Sequence, residues 1–369
     1  MPWLIKNGAS SAKEATPKQF TCYAQDAQIV GLSRSCGAFS PLAAVLGLTL
    51  LVAPALAADE LPSVPNQAVM RLIGEYGPSP TMLEVYEANG SLYADGQGLQ
   101  KARLDLVNQD NFTASVAGRE EKISFAPVGM KAAWMNLDGA QLQRRDVGAE
   151  VIAQIRSGEH ADPATLRAEA LKASPPAEPP SKRPTDLVAI TSIDSTIKLD
   201  IRYATSNNFM GFPLYKRPGA YLQRPAAEAL GRVAKALRAK GYGLLVHDAY
   251  RPWFVTKMFW DATPAGSRMF VADPATGSRH NRGCAVDLTL YDLSTGRPVE
   301  MTGRYDEMSM RSYADYIGGT SRQRWLRDLL RTAMEREGFQ VLHEEWWHFD
   351  FKDWNDYPIG NIPFSKLQG

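Results

Sequence analysis

Two stretches near the C-terminal end carry residues that can do chemistry together. One is Ser278-Arg279-His280-Asn281-Arg282-Gly283-Cys284-Ala285-Val286-Asp287, and the other is Glu344-Glu345-Trp346-Trp347-His348-Phe349-Asp350. His280, His348 and Asp287 make a set of three N/O ligands. A catalytic zinc takes three protein ligands and keeps a fourth position open for water. A carboxylate beside that water can serve as general base. The chain has only five histidines, so any histidine site must be drawn from a short list.

Strand geometry tests the spacing. Side chains alternate along a strand, so Ala285, Asp287 and Thr289 share one face while Val286, Leu288 and Leu290 line the other. His348 and Asp350 likewise share a face, with Phe349 and Phe351 opposite. If the two strands are neighbours, one ligand from each can meet. Gly283, just before the first strand, lets the chain turn back and brings His280 towards Asp287. The base is harder to place. Glu344 has the parity of His348, but four strand residues span ~13 Å. Glu345 is nearer, with the wrong parity for a regular strand. The spacing therefore predicts a turn or bulge that re-aims Glu345 at the metal; a regular strand from 344 to 350 would exclude that. On residue types and spacing alone, a zinc site and two unrelated structural histidines stand about even.

The elements that must position these residues are legible around them. Pro225 to Lys240 reads as an amphipathic helix, with Ala226, Leu230, Val233, Ala234 and Leu237 as its apolar stripe and Gly241 as its stop. Leu244-Leu245-Val246 reads as a buried strand leading into His247-Asp248-Ala249-Tyr250-Arg251-Pro252. A second helix is expected from Ser321 to Glu337, and strands near Ala285 to Leu290 and Gln340 to Phe351. Helices and short strands alternate with no Gly-rich phosphate loop, so the class is α+β.

The chain's 369 residues exceed one ordinary domain. Lys and Arg number 41 against 40 acids, a net charge of +1, which gives no global electrostatic reason to bind nucleic acid. Leu42 to Ala57 is an uncharged apolar run of 16 residues with Arg34 upstream and an Ala55-Leu56-Ala57 cleavage signature. It is short for a membrane span and reads as a signal peptide, with its start set unusually far into the chain. Residues 1–57 are then a removable leader, no stable membrane span remains after cleavage, and the protein is periplasmic or secreted. Cys22 and Cys36 fall within the leader, so the mature chain keeps Cys284 alone and forms no internal disulfide.

Ser174 to Pro184 contains five prolines and reads as the core of a stiff linker over 173–184. Before it, residues 60–172 suggest a small β-rich domain. Its clearest signals are a hairpin around Asn89-Gly90, a strand at Lys122 to Phe125 and a helix from Pro163 to Lys172. The run GEYGPSPTMLEVYEANGSLYAD resembles the small antiparallel β domain appended to some β-lactamase-like serine hydrolases. The second domain covers 185–369.

Over about 193 to 363 the chain resembles the zinc D-alanyl-D-alanine dipeptidases related to the vancomycin-resistance dipeptidase, within the zinc D,D-peptidase superfamily. The motif S-x-H-x-x-G-x-A-x-D is matched by Ser278, His280, Gly283, Ala285 and Asp287, and E-x-W-H by Glu345, Trp347 and His348. Asp248 to Pro252 resembles the family's D-x-Y-R-P segment. Arg202-Tyr203-Ala204-Thr205 with Asn208-Phe209, and Met301 to Asp306, resemble two further signatures. The resemblance implies a catalytic domain with a central antiparallel sheet and flanking helices. It implies one zinc per chain, held by His280, Asp287 and His348, with Glu345 as general base and Arg251 on the oxyanion. It further implies that Ser278 helps bind the substrate carboxylate, while Tyr203 and Asp306 sit near its ammonium. Tyr305 stands where the family often has Phe. His247 departs from the usual apolar residue and is expected to be structural. Cys284 is expected to be a packing residue and His343 not to be a ligand.

The expected activity is hydrolysis of D-Ala-D-Ala or a related D,D-dipeptide in peptidoglycan metabolism, the partner being that small dipeptide. Two other readings are a zinc carboxypeptidase or endopeptidase acting on longer peptidoglycan peptides, and a non-catalytic wall-binding protein. The segment from Tyr250 to Arg279 is long enough to wall off a small site, which favours the dipeptidase.

Overall fold

The computed structural model describes residues 60–367, apart from 80 and 159–161. The expected leader and signal peptide, Cys22, Cys36 and His160 lie outside the described residues. From Leu61 onward the chain forms one compact unit. Among the described residues no helix is long and apolar enough to cross a membrane.

A short helix α1 (Gln67–Met70) leads into eight strands. They are β1 (Gly74–Tyr76), β2 (Leu83–Ala88), β3 (Ser91–Asp95), β4 (Ala102–Asn108), β5 (Asn111–Val116), β6 (Arg119–Ala126), β7 (Trp134–Leu137) and β8 (Ala140–Arg145). The expected Asn89-Gly90 hairpin is β2–β3, with Glu87 opposite Leu92 and Ala88 opposite Ser91. Its two turn residues have φ of 50° and 81°, the left-handed region that Asn and Gly tolerate. The sequence suggested a small, mainly antiparallel β domain with this hairpin and a strand at Lys122 to Phe125; the structure closes eight strands into an antiparallel barrel, β1 pairing with β8. Closure removes the sheet edges. Inward-facing Tyr76, Val85, Phe112, Ile123, Phe125 and Met135 fill the interior as a core of their own.

Two helices follow, α2 (Val147–Ser157) and α3 (Pro163–Lys172), each capped by an aspartate, Asp146 and Asp162. They precede the proline-rich segment, yet Ile155, Leu166 and Ala170 join the core of the second sheet rather than that of the barrel. The proline-rich segment does not float free. Glu178 pairs with Arg282 at 2.7 Å, and Arg183 with Asp356 at 2.8 Å, so it lies along the surface it leads to.

The second region runs β9 (Leu187–Ala189), α4 (Ile190–Ile193), β10 (Lys198–Leu199), β11 (Tyr221–Gln223), α5 (Arg224–Arg238), β12 (Tyr242–Asp248), α6 (Trp253–Ala262), β13 (Ala285–Asp292), α7 (Ser321–Arg336), β14 (Phe339–Leu342) and β15 (Glu345–Phe351). The main sheet has the order β10-β12-β13-β15-β14. The expectation of an antiparallel sheet needs one correction: the short edge strand β10 joins β12 in parallel. Helix α5 buries the expected stripe of Ala226, Leu230, Val233, Ala234 and Leu237, packing on Leu244, Val246, Leu288 and Leu290 in one core. The strand expected from Gln340 to Phe351 is instead a hairpin of β14 and β15, with His343-Glu344 at its turn.

The barrel is tied to the rest at the start of α7. The Glu87 carboxylate accepts from the Ser321 amide at 2.8 Å, and Arg324 donates to the Glu87 carbonyl at 2.7 Å. An acid at a helix N-terminus meets unpaired amides and the positive end of the helix dipole.

Candidate metal centre

β13 and β15 lie side by side with Asp287 directly opposite His348. That register places a carboxylate and an imidazole on one face of the sheet. His280 arrives from the other side, on a single 3-10 turn, Arg279–Arg282. Ser278 caps this turn, its hydroxyl accepting from the His280 amide, and Asn281 completes a reciprocal cap. Gly283 ends the turn at φ +68°, and a Cβ there would stand 2.4 Å from Leu187. The expected turning-back of the chain at Gly283 is therefore both a conformational and a packing requirement.

His280 Nε2 lies 3.0 Å from His348 Nδ1 and 3.3 Å from Asp287 Oδ1, and His348 Nδ1 lies 3.1 Å from the same oxygen. One ligand atom from each residue falls within 4.8 Å of the others, and all three residues are buried. The outward ring nitrogens fix the tautomers. His280 Nδ1 donates to the Ala249 carbonyl at 2.7 Å, and His348 Nε2 donates to Asp350 at 2.9 Å, which Arg279 in turn holds at 2.8 Å. The nitrogens facing inward are therefore lone pairs, aimed with a carboxylate oxygen at one point. Such a set repels itself unless a proton or a cation sits among its members, and N/N/O donors suit zinc. Burial alone would raise the Asp287 carboxyl, but the two imidazoles hold it well below its ordinary value. Burial alone would lower His348, and Asp287 and Asp350 push it up to about 10. Both shifts express one fact: the cluster favours an added positive charge.

Glu345 reaches the cluster, with its carboxylate 3.8 Å from His348 Nδ1 and about a third of the side chain open. β15 is not regular there. Leu342 pairs with Glu345 while Val341 pairs with Phe349, so Trp346, Trp347 and His348 bulge out between two adjacent rungs of β14. Burial, reinforced by Asp287, raises the Glu345 carboxyl above its ordinary value against the pull of His348, His280 and Arg251.

Arg251 is buried, 3.9 Å from Asp287 and clamped by Asp248 at 2.8 Å. Asp248 also accepts from the Tyr215 hydroxyl at 2.7 Å. The guanidinium lies over the Phe259 and Tyr203 rings at 4.8 and 5.3 Å, so α6 forms one wall of the site. The Tyr203 hydroxyl donates to Asp306 at 3.0 Å, and Asp306 sits at φ +57°, a strained conformation for a non-glycine residue. Burial first, then Asp287 and Glu345, raise the Asp306 carboxyl well above its usual range. Ser278 is in place at the turn, where its hydroxyl already has a capping partner.

Three supporting residues had no role in the sequence reading. The Tyr305 hydroxyl donates to Asp287 Oδ2 at 3.0 Å, a bond that a phenylalanine could not make. Asp350 orients His348, which its shared strand face with His348 signalled. Asp248 holds Arg251, three residues away. The bystanders are also visible. His247 contacts Asp200 and stacks on Tyr305 with rings 4.7 Å apart. His343 is exposed, and Cys284 is buried, its thiol pushed up to about 12 by burial.

The profile of the peptidase family M15, D-Ala-D-Ala dipeptidases, matches residues 183–364. A D-alanyl-D-alanine dipeptidase of Escherichia coli is 33% identical over 181 residues, 49% of this chain and 92% of the relative. That of Enterococcus faecium is 34% identical over 189 residues, 46% of this chain and 92% of the relative. That of Streptomyces coelicolor is 32% identical over 198 residues, 47% of this chain and 98% of the relative. This chain belongs to the D-Ala-D-Ala dipeptidase family. It is a hydrolase, and the whole proposed metal centre falls inside the matched residues, while the barrel, α2 and α3 fall before them.

Proposed function

We propose that this dipeptidase-family protein is a zinc enzyme that hydrolyses D-alanyl-D-alanine, or a related D,D-dipeptide, in peptidoglycan metabolism outside the cytoplasm. The observation that carries the proposal is the convergence of His280, Asp287 and His348 within 4.8 Å, with Glu345 3.8 Å from His348. The relatives' names supply the substrate, and the leader that ends near Ala57 supports export. The mature chain would then carry the barrel up to β8, the helices α2 and α3 packed on the second core, the proline-rich segment at 173–184 and the catalytic part from 185 onward.

When bound, zinc would supply Lewis acidity, making water acidic enough to react near neutral pH. His280, Asp287 and His348 would hold it. Glu345 takes the proton of the attacking water and returns it to the leaving amine; its raised affinity for protons suits both halves of that task. Arg251 faces the oxyanion, and its charge counts most when negative charge develops there. Asp248, Tyr215 and two aromatic rings fix the guanidinium, so little reorganisation is needed. Asp306 and Tyr203 meet the substrate ammonium, and Ser278 meets its carboxylate.

The test is zinc content together with hydrolysis of free D-Ala-D-Ala by wild type and Glu345→Ala. Both proteins should hold one zinc per chain, with activity in the variant reduced roughly 10²–10⁴-fold. Full activity in Glu345→Ala, or wild-type protein without stoichiometric zinc, would sink the proposal.

A further inference from the structure

Tyr305 and Asp306 are the two central residues of one tight turn, and Glu307 closes that turn from both ends. Its amide donates to the Arg304 carbonyl at 3.2 Å, and its carboxylate accepts from the Arg304 amide at 2.7 Å. We propose that Glu307 is a positioning residue for Asp306, clamped from outside by the head of α2, so that the chain's own extension sets how tightly the substrate ammonium is held. The inference rests on the dipeptidase reading above, which puts Asp306 at that ammonium, and deepens it.

Three observations carry it. The first is strain. Asp306 takes the third position of the turn at φ +57°. That position favours glycine or asparagine, so an aspartate stays there only where its surroundings over-determine it. The Tyr203 hydroxyl holds the Asp306 carboxylate at 3.0 Å, while Glu307 holds the backbone. Glu307 is only 3% exposed. Its other carboxylate oxygen accepts from the Ser309 hydroxyl at 3.2 Å, and its carbonyl accepts from the Ser312 hydroxyl.

The second is the fit against α2. A Cβ at Gly148, in the first turn of α2, would stand 2.6 Å from Cγ of Glu307. Gly148 sits within the helix, so the missing side chain is a packing requirement rather than a conformational one. Asp146, which caps the same helix, pairs with Arg304 at 2.5 Å. One helix start thus touches both ends of the turn.

The third is origin. Asp146 and Gly148 precede residue 183, where the family match begins. The barrel grips the far end of the same loop. The Glu87 amide donates to the Gly319 carbonyl at 3.0 Å, and a Cβ at Gly318 would meet Glu84 Oε1 at 2.6 Å. The extension therefore holds, at both ends, the loop that delivers Tyr305 and Asp306.

The experiment measures kcat and KM for D-Ala-D-Ala, zinc content, and hydrogen exchange over residues 301–312, on the zinc-loaded, exported form of the chain. Glu307→Ala should raise KM about tenfold or more, leave kcat within about threefold, keep one zinc per chain and speed exchange over 301–312. Glu307→Gln, which keeps an oxygen for the Arg304 amide, should recover most of the wild-type KM. Gly148→Ala favours the helix itself and leaves the buried site filled, yet should raise KM about threefold. In the Glu307→Ala background it should add nothing, since the group it strikes is gone. A Glu307→Ala variant that loses thermal stability but keeps KM within about twofold overturns the positioning role, as does unchanged exchange over 301–312. Multiplying effects of the two substitutions overturn the clamp. Wild type that does not hydrolyse D-Ala-D-Ala overturns the dipeptidase reading instead, and the exchange measurement then still decides whether Glu307 and α2 hold the loop.

Discussion

Asp287 at the candidate metal centre and two glutamates on the barrel are buried alike, with opposite outcomes. At the candidate metal centre every buried acid has partners. Asp287 meets two imidazoles and the Tyr305 hydroxyl, Asp248 meets Arg251 and Tyr215, and Asp350 meets His348 and Arg279. On the flank of the barrel, Glu75 and Glu84 sit opposite each other on β1 and β2, near Arg311 and Tyr316. Both oxygens of Glu75 and one of Glu84 have no hydrogen-bond partner. Burial pushes these carboxyls up, to about 7 for Glu75 and about 8 for Glu84, while Asp287 is held far down. Burial is the same in both places; the difference lies in the neighbours. Two imidazoles in direct contact outweigh burial at Asp287, whereas Arg311 and Tyr316 do not outweigh it at Glu75 and Glu84, nor Tyr203 and Arg251 at Asp306, so those carboxyls hold their protons more tightly.

The comparison breaks most visibly if one inward lone pair is removed. His280→Ala should leave two of the three proposed ligands, and stoichiometric zinc and hydrolysis should both disappear. Metal analysis of the purified variant checks this, and retained zinc would mean that the cluster is a structural network. Next in size is Arg251→Lys. The ammonium keeps a charge beside Asp248 but loses the planar fork, so kcat should fall about 10²–10³-fold with a smaller change in KM. An unchanged kcat would remove Arg251 from the oxyanion.

The barrel side makes a pH prediction whose sign follows from the raised values. Glu75 and Glu84 have an ordinary pKa of 4.5, so between there and about 8 the folded chain keeps protons that the unfolded chain has released. Stability should therefore fall as pH rises through that window, and below it these groups impose no penalty. Glu84→Gln keeps the shape and cannot ionise. Denaturant midpoints should show it near wild type at pH 5 and more stable at pH 8.5, by on the order of 1–3 kcal/mol. If wild type is as stable at pH 8.5 as at pH 5, these carboxyls are better solvated than their burial implies.

The same contrast explains what was legible in the sequence. Alternation on β13 and β15, the glycine at 283 and the parity conflict at Glu345 pointed to neighbouring strands, a turn and a bulge, because each is a local rule acting on two or three residues. Helices α5 and α7 were legible from their stripes and stops. The closure of the barrel was not, since pairing β1 with β8 depends on residues about seventy positions apart. Nor was α2, whose apolar residues Val151, Ile152 and Ile155 are too few to announce a helix before its packing surface is known. The docking of α2 and α3 onto the second core was hidden for the same reason. Glu75 and Glu84 carry no local signal of burial, because the groups near them, Glu307, Arg311 and Tyr316, lie more than two hundred residues further along the chain.

The smallest effect should come from Tyr305, which joins the two regions through the loop that also carries Asp306 and Glu307. Its hydroxyl donates to Asp287 Oδ2, leaving Oδ1 towards both imidazoles, so it sets which oxygen faces the proposed metal. The ring is braced independently, against His247 at 4.7 Å and Trp347 at 5.6 Å. Tyr305→Phe should thus keep the ring in place and lose only the orienting bond. Partners of this kind are worth 10–100-fold in metal affinity, and a single bond to a ligand with two other partners belongs at the lower end, about tenfold. Competition with a chelator of known affinity measures it directly, apart from any assay of hydrolysis. An unchanged affinity would show that the imidazoles alone orient Asp287, and the fully partnered acid at the centre would then carry one partner more than it needs.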